Sequence, residues 1–303
     1  MRLFTYSRLG VSSIGVEVEG GILDLPDAAR YFGSTYLTDG QRFPTTMKDL
    51  LTWETGIDAV RSIVEKFEKL PVLQRPLVFP TYSVKILAPI YRPGKIVALG
   101  LNYKEHIEET GRETPGFPLI FAKFSSCIVN PDDVIPMPKV SDKLDWEVEL
   151  AVVIGKTCKD IDEENALDYV AGYTIINDVS ARDLQSEDVQ WIRSKSLDGL
   201  GPLGPCIVTV DELGDGSGLT MQTRINGVVK QDSSTSLLRC GVRRIVSHLS
   251  QSFTLEPADI IATGTPSGVG FARDPPEFLK PGDQMELYIE KIGYLRNRII
   301  SAK

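Results

Sequence analysis

Two kinds of spacing divide the chain. Over residues 1–90, MRLFTYS and IGVEVEGGILDL alternate apolar and polar positions around a Gly-Gly pair, the pattern of short strands and a hairpin. From Met47 to Leu70 the apolar residues fall at helical spacing, with Ile57, Val60, Ile63, Val64 and Phe67 among them. Pro71, Pro76, Pro80, Pro89 and Pro93 then punctuate the chain as a linker would. From Lys95 onward strands dominate. KIVALG, PLIFAKF, EVELAVVIG, VAGYTIIND, PCIVTV, MQTRING, DIIATGTP and QMELYIE are bounded by Gly, Pro and Asp, and helical stretches interrupt them at NALDYVAG and LRCGVRRIVSHLSQ. The expected fold class is α+β, mainly β. A curved sheet or sandwich core should occupy residues 91–303, with a small N-terminal α+β domain and linker over residues 1–90.

Composition narrows the function. At 303 residues, with 42% hydrophobic and 24% charged positions, the chain has the make-up of a globular protein. No apolar run reaches the ~20 residues that span a bilayer, and MRLFTYSRLG lacks the features of a secretory signal, so a cytoplasmic protein without membrane partners is expected. A net charge of −8 argues against nucleic acid as a partner. Cys127, Cys158, Cys206 and Cys240 are scattered with no CxxC pair, which favours buried free thiols over disulfides or a zinc ribbon. Only two histidines exist, His106 and His248, so any metal site must rely on oxygen ligands and take a hard cation such as Mg2+, Mn2+ or Ca2+.

Four segments carry candidate chemistry. In DWEVELAVVIG, strand alternation puts Glu147 and Glu149 on one face and Trp146, Val148 and Leu150 on the other. The run stays apolar through Ile154, and two carboxylates entering a core are costly unless a cation neutralises them. In AGYTIINDVSARDLQ, Asp178 ends a strand, where a carboxylate is either a helix cap or a catalytic group. Arg182 and Gln185 follow at helical spacing, a seat for an anionic substrate. In GLNYKEHIEETG, His106 and Glu109 meet on one helical turn, so the carboxylate can fix the imidazole tautomer for general-base work. Gly100, Gly111 and Pro115-Gly116 around that turn suit a mobile lid. A base must be neutral, so activity is expected to fall at acid pH. Finally, ATGTPSGVG has no Gly-Lys-Ser/Thr and is not a nucleotide loop, but Gly264 and Thr265 can offer a backbone N–H and a hydroxyl to a carboxylate. Lys195, in RSKSLDGLGPLGP, is a further candidate charge.

Together and in order, LNYKEH, LDWEVELAVVIG, GYTIINDVSARDLQ, KSLDGLGPLGP, RINGVVKQDSST and DIIATGTPSGVG resemble the fumarylacetoacetate hydrolase superfamily over residues 95 to 300. The resemblance implies a mixed β-sandwich roll, commonly homodimeric, in which residues 1–90 are the small extra domain of longer members. It implies that Glu147, Glu149 and Asp178 are the carboxylate ligands of Mg2+ or Mn2+ (with Ca2+ able to take the same seat in a crystal). It makes His106 and Glu109 the lid dyad of the branch that holds acylpyruvate hydrolases and oxaloacetate decarboxylases. Lys195 joins the catalytic set, and Arg182, Gln185, Gly264 and Thr265 line the substrate pocket. Ser194 replaces the usual Gly before Lys195, and Phe124 replaces the usual Pro after Lys123. Those changes bear on substrate identity, and the extra aspartate ligand of the tyrosine-pathway hydrolase is not evident.

The expected chemistry is metal-dependent cleavage of a C–C bond in a small 2-oxo acid or 1,3-dicarbonyl, of the acylpyruvate type, through a metal-stabilised enolate. Oxaloacetate decarboxylation or keto–enol tautomerisation uses the same site. A non-catalytic metal or small-molecule binder on this fold is the alternative from another class.

Overall fold

The computed structural model describes residues 1–33, 36–37, 41–111 and 116–302. Strand accounts for 34% of the chain and helix for 28%, the α+β, mainly β balance expected. Among the described residues, twelve strands build one large sheet. From one edge its order is Val78–Phe79, Gly21–Asp24, Val11–Val18, Arg2–Arg8, Gly201–Thr209, Val170–Asn177, Val148–Ile154, Ile260–Ala262, Ile96–Gly100 and Leu119–Lys123. Lys85–Leu87 pairs with Arg2–Arg8, and Ile128–Val129 with Gly201–Thr209. A second sheet of five strands contains Thr220–Ile225, Val228–Ser234, Gln284–Ile289, Gly293–Ile300 and Val134–Pro136.

The central strands Val148–Ile154 and Val170–Asn177 are buried at every position, which is why their sequences are nearly continuous apolar runs. Val148, Leu150 and Val152 share a core with Met221, Met285 and Leu287 of the second sheet. Ala151 and Val153 belong to the other core, with Leu50, Val60, Ile63 and Phe67 of the N-terminal helices. The alternation read from the sequence therefore assigns each side chain of this strand to its own core.

Residues 1–90 contribute strands to the large sheet, since Arg2 and Leu3 pair with Val208 and Ile207. Residue 90 therefore divides the chain without dividing the sheet. The stretch 71–93 is more than a linker, because Val78–Phe79 and Lys85–Leu87 add to the same sheet. The helical stripe over Met47–Leu70 is interrupted, giving helices Met47–Thr52 and Gly56–Lys69. The corner is tight. A Cβ on Gly56 would lie 2.1 Å from the Leu50 carbonyl oxygen, so only glycine lets the second helix start there. NALDYVAG yields a 3-10 helix, Glu163–Tyr169, before its strand, and LRCGVRRIVSHLSQ yields Val242–Ser252. All four cysteines are free and buried. Among the described residues no helix is long and apolar enough to cross a membrane.

Candidate metal centre and pocket

The antiparallel register builds the acidic site. Val148 pairs with Asn177, so the residues one step beyond, Glu147 and Asp178, meet at the same end of the sheet. The Asp178 N–H donates to the Glu147 carbonyl at 3.0 Å. Glu149 lies two residues along the strand on the face of Glu147. All three side chains are buried, and one carboxylate oxygen from each lies within 4.8 Å of the others. Beyond the short strand Ile260–Ala262 the chain stays beside them: Gly264 N–H donates to Glu149 Oε2 at 2.7 Å, and Thr265 Oγ1 donates to the Val148 carbonyl at 3.0 Å. Gly264 sits at φ +99°, and a Cβ there would lie 3.0 Å from both Asn102 Cβ and the Leu99 oxygen. Gly264→Ala should therefore cost about 1–3 kcal/mol of stability, read as a lower urea midpoint with an unchanged m-value. An unchanged midpoint would refute the claim that this turn needs glycine.

Three buried cations serve the carboxylates. Lys195 Nζ donates to Glu147 Oε2 at 2.7 Å and Asp178 Oδ2 at 2.8 Å. Lys123 Nζ donates to Asp178 Oδ1 at 2.7 Å, to the Leu200 carbonyl at 3.0 Å and to the Lys195 carbonyl. Arg182 reaches three side chains. Nε donates to Asp145 Oδ2 at 2.8 Å, Nη1 to Gln185 Oε1 at 2.9 Å, and Nη2 pairs with Glu147 Oε1 at 2.7 Å. Asp145 in turn accepts from Gly270 N–H at 2.6 Å and Phe271 N–H at 3.0 Å, which ties Arg182 to the glycine-rich loop.

The charges do not balance. Asp145, Glu147, Glu149 and Asp178 are four buried carboxylates against Lys123, Arg182 and Lys195. Burial raises the Glu147 carboxyl, but Lys195 and Arg182 outweigh it and hold it at about 2. Glu149 forms no ion pair among the described residues, and Lys195 lowers it only in part. Burial first, then Asp178 and Glu147, push its carboxyl well above the usual carboxylate range. A divalent cation would supply the missing charge. The donor set is all oxygen, as Mg2+ or Mn2+ requires, and carboxylate oxygens that accept from Lys195 keep a second lone pair for a metal. Glu147, Glu149 and Asp178 fit that role.

His106 lines the same pocket as Glu147 and Glu149. It lies on the helix Lys104–Thr110, which ends at Gly111 in the left-handed region, φ +63°. His106 Nδ1 is 2.7 Å from Glu109 Oε1, and Glu109 Oε2 accepts from Gly268 N–H at 2.9 Å. The His-x-x-Glu turn thus forms the expected dyad and is held to the glycine-rich loop. Of the residues expected to flank a lid, Pro115 lies outside the described residues. His106, Glu147, Glu149, Arg182, Gln185, Lys195 and Thr265 all line one pocket. Gly264 stands behind Glu149, its N–H spent on that carboxylate.

Three residues escaped the sequence reading. Lys123 was noted only as the neighbour of Phe124, because a lysine ending a strand gives no sign of burial. Asp145 stands two positions before Glu147 and is indistinguishable from a surface charge by pattern. Gln231, in RINGVVKQDSST, donates from Nε2 to Thr265 Oγ1 and the Pro266 carbonyl, while Oε1 accepts from Val148 N–H and Thr223 Oγ1. It pins the ligand strand to the Thr265 loop from the second sheet. Ser194 and Phe124 do not line the pocket. Ser194 donates to the Trp191 carbonyl at 2.8 Å, and Phe124 is exposed.

Known proteins share this arrangement of sheet and sequence. Residues 95–300 match the family described as fumarylacetoacetate (FAA) hydrolase C-terminal. The chain is 40% identical to the oxaloacetate tautomerase Fahd2a, mitochondrial, of Rattus norvegicus over 306 residues, covering 99% of this chain and 92% of the relative. Among solved structures, fumarylacetoacetate hydrolase (EaFAH) from Exiguobacterium antarcticum superposes over all of both chains with a TM-score of 0.81 and 37% identity. Maleylpyruvate hydrolase from Sphingobium sp. SYK-6, in complex with manganese(II) ion and pyruvate, also covers both chains fully, at a TM-score of 0.78 and 26% identity. With a family match over two-thirds of its length and relatives that align nearly end to end, this chain belongs to the fumarylacetoacetate hydrolase family of enzymes.

Proposed function

We propose that this enzyme uses Mg2+ or Mn2+ to interconvert the keto and enol forms of a small 2-oxo acid, with oxaloacetate as the first substrate to test. The observation that carries the reading is a cluster of three buried carboxylates, two of which line the same pocket as a carboxylate-oriented imidazole. The likeness to oxaloacetate tautomerases along nearly the whole chain supports the substrate.

Glu147, Glu149 and Asp178 would hold the cation, which as a Lewis acid favours negative charge on the substrate's keto oxygen. Glu109 accepts the Nδ1 proton of His106 and leaves the Nε2 lone pair for substrate. His106 takes a proton from the carbon beside the keto group and returns it to oxygen or carbon. Gly268 holds Glu109, and so the imidazole, in register with the pocket. Lys195 and Arg182 keep Glu147 ionised, so the buried floor of the pocket is strongly polar.

Hydrolysis of an acylpyruvate-type dicarbonyl is the second reading, with His106 drawing the proton from water. It is favoured by the likeness to a maleylpyruvate hydrolase that holds manganese and pyruvate.

The test uses metal-stripped protein and follows the enol absorbance of oxaloacetate with and without Mn2+, alongside product analysis. Metal-dependent enol decay without release of carbon dioxide is expected. His106→Ala should lower it by ~10²–10⁴-fold with Mn2+ affinity unchanged. Acetate and pyruvate from acetylpyruvate, without action on oxaloacetate, would transfer the assignment to the hydrolase. Full activity in His106→Ala would remove the base.

A further inference from the structure

The pocket also has an apolar wall. Leu99, Gly100 and Leu101 at the end of one strand, Phe121 of the edge strand and Trp191 line it together with the charged groups. Trp191 stands between the helices Arg182–Glu187 and Ile192–Lys195 and lies directly on Gly100. A Cβ at Gly100 would be 2.8 Å from Trp191 Cζ3 and 3.3 Å from Cη2, so backbone and indole are already in contact. Phe121 braces the indole edge-on, with ring centroids 5.3 Å apart at 67°. Lys195 Nζ, which bridges two of the carboxylates, lies 5.2 Å from the Phe121 ring. The wall is therefore built against the charged centre itself. The space left in this pocket is about 20 Å³, so a bound acid must press on its lining.

The residues beside Trp191 face elsewhere. Gln190 and Ile192 line a separate, shallow groove of about 650 Å³, together with Phe124, Val189 and Leu197. Phe124 and Val189 are exposed there at 59% and 96%. One segment thus contributes to the small closed pocket and to an open apolar groove, with the indole inserted on the pocket side.

We propose that Trp191 is the specificity-determining residue of this site and confines it to short-chain 2-oxo acids. The indole occupies the space that an alkyl or acyl tail would need to pass from the pocket towards the outer groove. This rests on the reading that the pocket binds 2-oxo acids. A rigid aromatic wall discriminates by size because a tail that does not fit must displace the indole from its packing on Gly100 and Phe121, whereas a short substituent leaves that packing intact.

The experiment measures binding of pyruvate, 2-oxobutanoate, 2-oxohexanoate and 2-oxooctanoate to Mn2+-loaded protein by calorimetry, in the natural chain and in Trp191→Ala. Binding of Mn2+ alone and the melting temperature serve as checks of the fold. In the natural chain, affinity should fall by about tenfold or more from 2-oxobutanoate to 2-oxooctanoate. In Trp191→Ala the longer acids should bind at least as tightly as the short ones. If Trp191→Ala fails to fold, Trp191→Phe and Trp191→Leu replace it, with the drop reduced in proportion to the volume removed. Equal affinities along the series in the natural chain, or the same drop in a folded variant, overturn the role of Trp191 while leaving the 2-oxo acid reading in place. Mn2+ binding without binding of any 2-oxo acid overturns that reading, and the role of Trp191 with it.

Discussion

Asp178→Ala should be among the most destabilising single changes in this chain, at about 3–5 kcal/mol. Among the described residues its carboxylate is the only one that reaches both buried lysines: Oδ1 accepts from Lys123 and Oδ2 from Lys195. Removing it leaves Lys123, with no exposed side-chain surface, facing two backbone carbonyls and no anion within contact. Glu149→Gln should behave oppositely. Glu149 pairs with no cation among the described residues, and its neighbours Asp178 and Glu147 repel it. A glutamine oxygen can still accept from Gly264 N–H, so the metal-free protein should be as stable as the natural one or more so. Its Mn2+ affinity should fall by about a hundredfold or more, since even residues behind a ligand are worth ~10–100-fold. Urea unfolding of metal-free protein, with calorimetric Mn2+ titration, separates the two effects. Equal losses of stability in both variants would show that the three carboxylates are not partitioned between lysine pairing and cation binding as the geometry indicates.

Mn2+ affinity should rise with pH by up to about tenfold per unit, until the Glu149 carboxyl is fully ionised, and then level off. Burial and two neighbouring carboxylates raise this group, so over that range the cation must displace a proton to bind. The same shift acts on the metal-free fold with the sign opposite to that of an ion-paired carboxylate. A raised folded-state value means that the stability Glu149 contributes is present below its ordinary value of 4.5 and is lost as pH rises through the raised value. Glu147, held at about 2, contributes stability present above 4.5 and lost as pH falls towards 2. Metal-free protein should therefore gain stability from Glu149 as the solution is acidified from neutrality, until pH falls below 4.5 and the Glu147 contribution begins to be lost. Added Mn2+ should stabilise most at the high end. Calorimetry in two buffers of different ionisation enthalpy counts the proton released. No proton released at any pH, or an unchanged profile in Glu149→Gln, would exclude Glu149 as its source.

The centre is assembled from pieces that differ in how far apart they lie in the chain. The dyad is local: helical geometry alone brings His106 and Glu109 together, and the structure places them 2.7 Å apart. Glu147 and Glu149 are local too, since a strand repeats every second residue. Asp178 joins them only through strand pairing, and the two lysines only through the packing of the edge strand and of the helix Ile192–Lys195 against that pair.

By itself the sequence determined the class of fold, the shared face of Glu147 and Glu149, the His106–Glu109 turn and that any metal held here would need oxygen ligands. Each of these follows from periodicity or from which side chains exist, and neither depends on distant contacts. Tertiary structure alone decided that residues 1–90 extend the same sheet, because an edge strand's partner is not written in its own pattern. It also decided the charge balance. Lys123 and Lys195 read as ordinary lysines until the fold removes them from water and sets them 2.7–2.8 Å from Glu147 and Asp178. Whether a carboxylate is paired, repelled or left for a cation depends on which charges share its low-dielectric surroundings, and long-range packing decides which charges those are.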